Sequence, residues 1–239
     1  GHMALEYACL QLHIAAGTEL PRERILYAVT SYMDRMGMIP CGQENATRTI
    51  CFAPSEAGWS VYDDCADRLD IPSIDGLGRC LTGKIDCRAV GILASKEGLM
   101  LRLYGGGRLR DAYVTSCRAF GRKHRFPGRL FCRGRCRGHA LRWRACLPAG
   151  RSVAELADLF EKGESEGRAV FPRLMPVLGL DKSAAFGFAS VEEAGIDGVV
   201  WLYFRPGNVI HQGLLARMLH PAPRTVKPAA GISPMSPKR

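Results

Sequence analysis

The sequence predicts an α+β protein: a mainly antiparallel sheet with helices on one face, followed by a helical C-terminal part. Three observations carry this expectation. The chain has 239 residues, 47% of them hydrophobic and 23% charged, which is ordinary for a globular protein and enough to bury a core. Several short runs alternate apolar and polar residues and are joined by turns too short for a parallel crossover. Helical periodicity appears once between the first strands and again late in the chain.

Leu5 to Ile14 place Ala8, Leu10, Leu12 and Ile14 on one side of a strand and Tyr7, Cys9, Gln11 and His13 on the other. After Ala16-Gly17-Thr18, Pro21 sits where a helix can begin. Ile25, Leu26, Val29, Tyr32, Met33 and Met36 then recur at helical spacing until Gly37 supplies a stop. Thr47 to Ala53 and Trp59 to Tyr62 flank a Pro/Gly-containing turn and read as an antiparallel hairpin. Asp63 to Asp67 reads as the start of a short helix, and Ser73 to Leu81 as a second one. Cys87 to Ala94, Leu99 to Tyr104 and Arg108 to Thr115, separated by Ser95–Gly98 and Gly105–Gly107, make a meander. The first six elements follow the order of a ferredoxin-like βαββαβ unit, to which further strands are added.

Residues 4–115 thus read as an α+β sheet domain. Residues 116–146 read as a basic, Cys/His-bearing insertion or loop, and residues 147–220 as a mainly helical part with one strand, packed on the first domain or separate from it. In this last part Ser152-Val153-Ala154-Glu155 forms a capping box, Pro172 and Pro176 shorten or kink a helix between Gly167 and Leu178, Ser190 resembles another helix start, and Gly198 to Phe204 reads as a strand. Residues 221–239, rich in proline and without acid, are expected to be a disordered tail.

The formal charge of +10 is not spread evenly. Ser116 to Cys146 carries ten of the 33 Lys/Arg and no acid, and the remaining 23 balance the 23 Asp/Glu. A planar guanidinium donates two parallel hydrogen bonds to phosphate, and interleaved aromatic rings offer stacking surfaces. Arg118, Arg122, Lys123, Arg125 and Arg129, then Arg133, Arg135, Arg137, Arg142, Trp143 and Arg144, are therefore the candidate nucleic-acid or anion-binding residues. A solvated, flexible excursion from the scaffold explains the same charge without a ligand. Cys117, Cys132, Cys136, His139 and Cys146 supply enough soft ligands for a tetrahedral zinc site, although their spacing departs from the familiar paired motifs. No other cofactor is implied.

Asp63, Asp64 and Asp67 follow a strand and would either cap a helix or serve acid–base or cation chemistry on a phosphorylated substrate. Gly105–Gly107 lacks the context of a phosphate-binding loop, and no hydrolase, zinc-protease or deaminase signature is present. The leading expectation is a non-enzymatic polyanion-binding protein, with nucleic acid as the partner. The alternatives are a module that docks an acidic protein and, third, an enzyme built on the aspartate edge. Six scattered single cysteines read as buried thiols in a reducing compartment, and no stretch reaches the ~18 apolar residues of a membrane span. A soluble, cytoplasmic protein is expected.

Overall fold

The structure is a computed structural model that describes residues 6–116, 120, 136–209 and 226–227. The chain begins with strand β1 (Tyr7–His13), helix α1 (Arg22–Arg35), and strands β2 (Met38–Pro40), β3 (Arg48–Pro54) and β4 (Gly58–Asp63). Helix α2 (Ile71–Lys84) and strands β5 (Arg88–Ala94), β6 (Leu99–Gly105) and β7 (Arg108–Val114) follow. After a 3-10 helix at Ala140–Cys146 come helices α3 (Val153–Glu166) and α4 (Phe171–Val177) and strand β8 (Val200–Pro206). Strands β1 to β8 form one antiparallel sheet in the order β2-β8-β3-β4-β1-β5-β6-β7. A mixed α+β architecture with a mainly antiparallel sheet is what the sequence predicts.

β1 lies inside the sheet because both of its faces are buried. It pairs with β4 (Leu10↔Val61) and β5 (Leu10↔Gly91). Ala8, Leu10 and Leu12 point toward α1 and α2, where they meet Ile25, Val29, Met33, Ile74 and Leu81. Tyr7 and Cys9 point the other way, into a second cluster with Trp143, Phe160, Leu174 and Val177. Helices therefore cover both faces of the sheet rather than one. β5 and β6 already require this, since Val90, Ile92, Leu101 and Leu103 are as apolar as Ala89, Leu93, Met100 and Tyr104 on the opposite side.

The helix ends follow local rules. Asp70 caps α2 by accepting from Ser73 N at 3.2 Å, so the helix starts earlier than Ser73 and runs on to Lys84. Ser152 Oγ accepts from Glu155 N at 3.1 Å, completing the predicted cap of α3. Pro172 sits in the first turn of α4 and Pro176 inside it, which keeps the helix short. The helix start expected at Ser190 does not form; a 3-10 turn at Phe188–Ser190 is followed by turns.

The C-terminal part is built into the same sheet. β8 inserts between β2 and β3, with Ile39↔Arg205 on one side and Thr49↔Tyr203 on the other. A buried polar cluster holds the 182–184 turn down: Gln11 Nε2 donates to Ser183 O at 3.3 Å, Tyr62 Oη donates to the same carbonyl at 2.6 Å, and Ser60 Oγ donates to Gln11 Oε1 at 2.8 Å. A two-residue strand β9 (Asn208–Val209) pairs with β10 (Val226–Lys227), and the rest of the predicted tail lies outside the described residues. No described helix is long and apolar enough to cross a membrane.

Candidate anion-binding surface

The β6–β7 connection is a two-residue turn, Gly106-Gly107, with φ of +60° and +77°. Both central residues with positive φ make the hairpin that follows a strand's right-handed twist, and glycine takes that conformation without strain. The turn lies against the end of α2: a Cβ on Gly107 would stand 3.4 Å from Gly83 Cα, and Gly107 N donates to Thr82 Oγ1 at 3.2 Å. Two small residues thus let helix and hairpin close up.

Around this turn the register gathers arginines. Arg88 and Arg108 both pair with Gly105, one from each neighbouring strand. The Arg88 guanidinium lies over Gly105, where a Cβ would meet its Nη1 at 2.1 Å. A bulge at the start of β7 turns Arg110 back, so that its Nε donates to Gly105 O at 2.8 Å. Arg79 and Lys84 are exposed on the adjoining turn of α2. Arg142 Nη1 reaches Arg110 O at 3.3 Å from the opposite layer. Among the described residues no carboxylate lies within ion-pair distance of Arg79, Lys84, Arg88, Arg108 or Arg110, and Asp86 is the exposed acid closest in sequence.

The C-terminal end of the basic segment is fixed to this edge. Val114 N donates to Cys136 O at 2.9 Å, and Arg137 bridges Tyr113. Asp111, buried on β7, accepts from His139 N at 2.6 Å and from Trp143 Nε1 at 2.7 Å, and Arg142 Nη1 stands 3.7 Å from its other oxygen. Trp143 is fully buried and meets Phe160 edge-on at 5.6 Å, so it is a core residue with no ring face open to a base. Arg137, Arg142 and Arg144 are exposed. Residues 136–146 are therefore part of the fold, not an excursion from it. Arg118, Arg122, Lys123, Arg125, Arg129, Arg133 and Arg135, with Cys117 and Cys132, lie outside the described residues.

Of the predicted metal ligands, Cys136, His139 and Cys146 form no metal-binding group among the described residues; Cys146 is 3% exposed, and burial pushes its thiol up to about 12. Among the described residues such a group is offered only by Asp63, Asp64 and Cys65. Those carboxylates already have structural partners. Arg48 clasps buried Asp63 through Nε at 3.1 Å and Nη2 at 2.5 Å, and Cys65 N donates to Asp63 Oδ1 at 3.0 Å. Burial opposes the Arg48 charge, but the bonds to Asp63 outweigh it and its pKa is raised. Asp67 accepts from Ala8, Phe188 and Ala189 backbone N–H groups, at 3.3, 3.0 and 2.8 Å, and so ties the 187–189 turn to β1. None of the three is a helix N-cap.

Sequence reasoning passed over Arg88, Arg108 and Arg110, which it assigned only to strands. The available signal for Arg108 and Arg110 was the Arg-x-Arg immediately after the glycine turn; Arg88 carried none. Comparison with protein-family models, with curated proteins and with solved structures returned no match.

Proposed function

We propose that this protein is a non-enzymatic nucleic-acid-binding protein that contacts phosphates through the arginine surface at the β5–β6–β7 edge and the basic segment continuous with it. The observation that carries the reading is the convergence of Arg88, Arg108 and Arg110 on one glycine turn without carboxylate partners. Guanidinium groups held apart from acids are free to exchange water and counterions for phosphate, and that exchange dominates affinity for nucleic acid. Arg142 and Arg144 add to the surface, and residues 116–135 of the same segment hold most of its charge.

Fluorescence anisotropy with a labelled single strand across a salt series tests this. Each phosphate contact contributes about 0.7 to the log–log slope for a single strand. Changing Arg108, Arg110 and Arg142 together to Gln is expected to lower the slope by about 2, and neutralising Arg133, Arg135 and Arg137 by a similar amount. Absence of binding at low salt, or an unchanged slope in both variants, refutes the reading.

The β3-β4-β1-β5 order, with α1 and α2 on one face, supports assigning β1–α1–β3–β4–α2–β5 to a ferredoxin-like unit, with β2, β6, β7 and β8 as additions. Eight free thiols among the described residues support a reducing, cytoplasmic setting.

A further inference from the structure

At the other end of the sheet, between β8, β3 and the 187–192 turn, lies a groove of about 350 Å³ that the anion-binding reading does not use. Its walls are Trp201 and Tyr203 on β8, Thr49 opposite Tyr203 on β3, and Phe188 on the turn, with Gln43 and Glu192 at the margin. The Phe188 and Trp201 rings stand 5.8 Å apart at 84° to one another, which makes two walls of a box. The Phe188 wall is set by the fold: Asp67 accepts from Phe188 N and Ala189 N, and a Cβ at Gly187 would collide with Asp67 Oδ1 at 2.1 Å, so the turn is pressed against β1.

The charge of the groove is opposite to that of the chain as a whole. Its one charged lining residue is Glu192, exposed and unpaired among the described residues. Next to Thr49, Asp64 accepts from Thr49 N through Oδ2 at 3.1 Å and keeps Oδ1 buried with no partner. Arg205, two residues beyond Tyr203, is not among the lining residues. Three aromatic side chains and a carboxylate in the lining, with no lining cation, form the arrangement that attracts a positive charge too bulky to keep its hydration shell.

We propose that this groove binds a monovalent organic cation, an alkylated ammonium or a guanidinium group, over Phe188, Trp201 and Tyr203 with Glu192 as the counter-charge. The site is independent of the arginine surface. Three strands of the sheet, β3, β4 and β1, separate β8 from β5, so a cation entering the groove does not meet the basic edge.

The test is NMR on the full chain, following the Trp201 indole N–H, assigned by its loss in Trp201→Phe, during titration with choline, with guanidinium, and with the neutral carbon isostere of choline. A cation should shift the Trp201 signal and bind about tenfold more tightly than the neutral isostere. Comparing choline with guanidinium identifies the preferred head group. Phe188→Leu keeps the apolar volume but removes a π-face, and Glu192→Gln removes only charge at an exposed site; each should weaken the cation several-fold while leaving polyanion binding unchanged. Equal affinity for the isostere, no shift with either cation up to about 10 mM, or cation binding unaffected by Phe188→Leu would overturn the proposal.

Discussion

Replacing Asp111 with alanine measures how firmly the basic segment's end is joined to the sheet. Asp111 serves two donors from the facing layer, the Trp143 indole and the His139 amide. Trp143 is fully buried, so its N–H has no route to water, and an unsatisfied buried donor of this kind costs about 2–3 kcal/mol. His139 is exposed, and its amide can recover a water molecule, which limits that loss to about 1 kcal/mol. The Arg142 contact, at 3.7 Å and with a guanidinium side chain 56% exposed, adds nothing measurable. The sum is a loss of about 3–4 kcal/mol, or about 6–16 °C in Tm for a chain of this length. Urea unfolding followed by circular dichroism gives the stability, and amide exchange across 140–146 localises it. Asp111→Asn, which keeps one acceptor, should lose about half as much. A loss below about 1 kcal/mol in the alanine variant, or unchanged exchange across 140–146, would show that apolar packing alone holds this layer.

The buried pair offers a second check. Asp63→Ala leaves Arg48, with a side chain only 10% exposed, charged and unpaired, and should cost about 3–5 kcal/mol; the double change Arg48→Met with Asp63→Leu should restore most of it. Equal losses in single and double variants would contradict the assignment of Asp63 as a purely structural partner. A third outcome concerns alkali. Burial moves the thiols of Cys9, Cys51, Cys87 and Cys146 from 9.0 up to about 12, so between those values the folded chain retains protons that the unfolded chain releases. Stability is therefore intact below pH 9.0 and falls above it, by up to about 1.4 kcal/mol per pH unit for each thiol. Cys146→Ala should reduce the slope of stability against pH by about that amount, and a flat profile to pH 11 would refute it.

The sheet strands, α1 and the α3 cap were legible because each depends on residues close in sequence: alternation in Leu99 to Tyr104, Gly37 after a helical stripe, Glu155 three residues after Ser152. The layer arrangement was not. Nothing local tells Trp143 that its donor will find Asp111 thirty-two residues earlier, and a tryptophan among arginines reads equally as a stacking platform or a core plug. Asp67 was misread for the same reason, since its partners at Ala8, Phe188 and Ala189 are far away in sequence. The anion surface was half legible. Charge marked residues 116–146, but Arg88, Arg108 and Arg110 become part of a surface only through strand register. β2, at three residues, is too short to leave a period.

The insertion of β8 between β2 and β3 also sets a clock on synthesis. Until Val200–Pro206 leave the ribosome, β3 has a partner on its β4 side only and β2 has none, so the growing chain carries an open, hydrogen-bonding edge for most of its translation. The last strand of this eight-stranded sheet to be made is the one that closes it, and a chain stalled before Val200 is expected to seek that partner in another molecule.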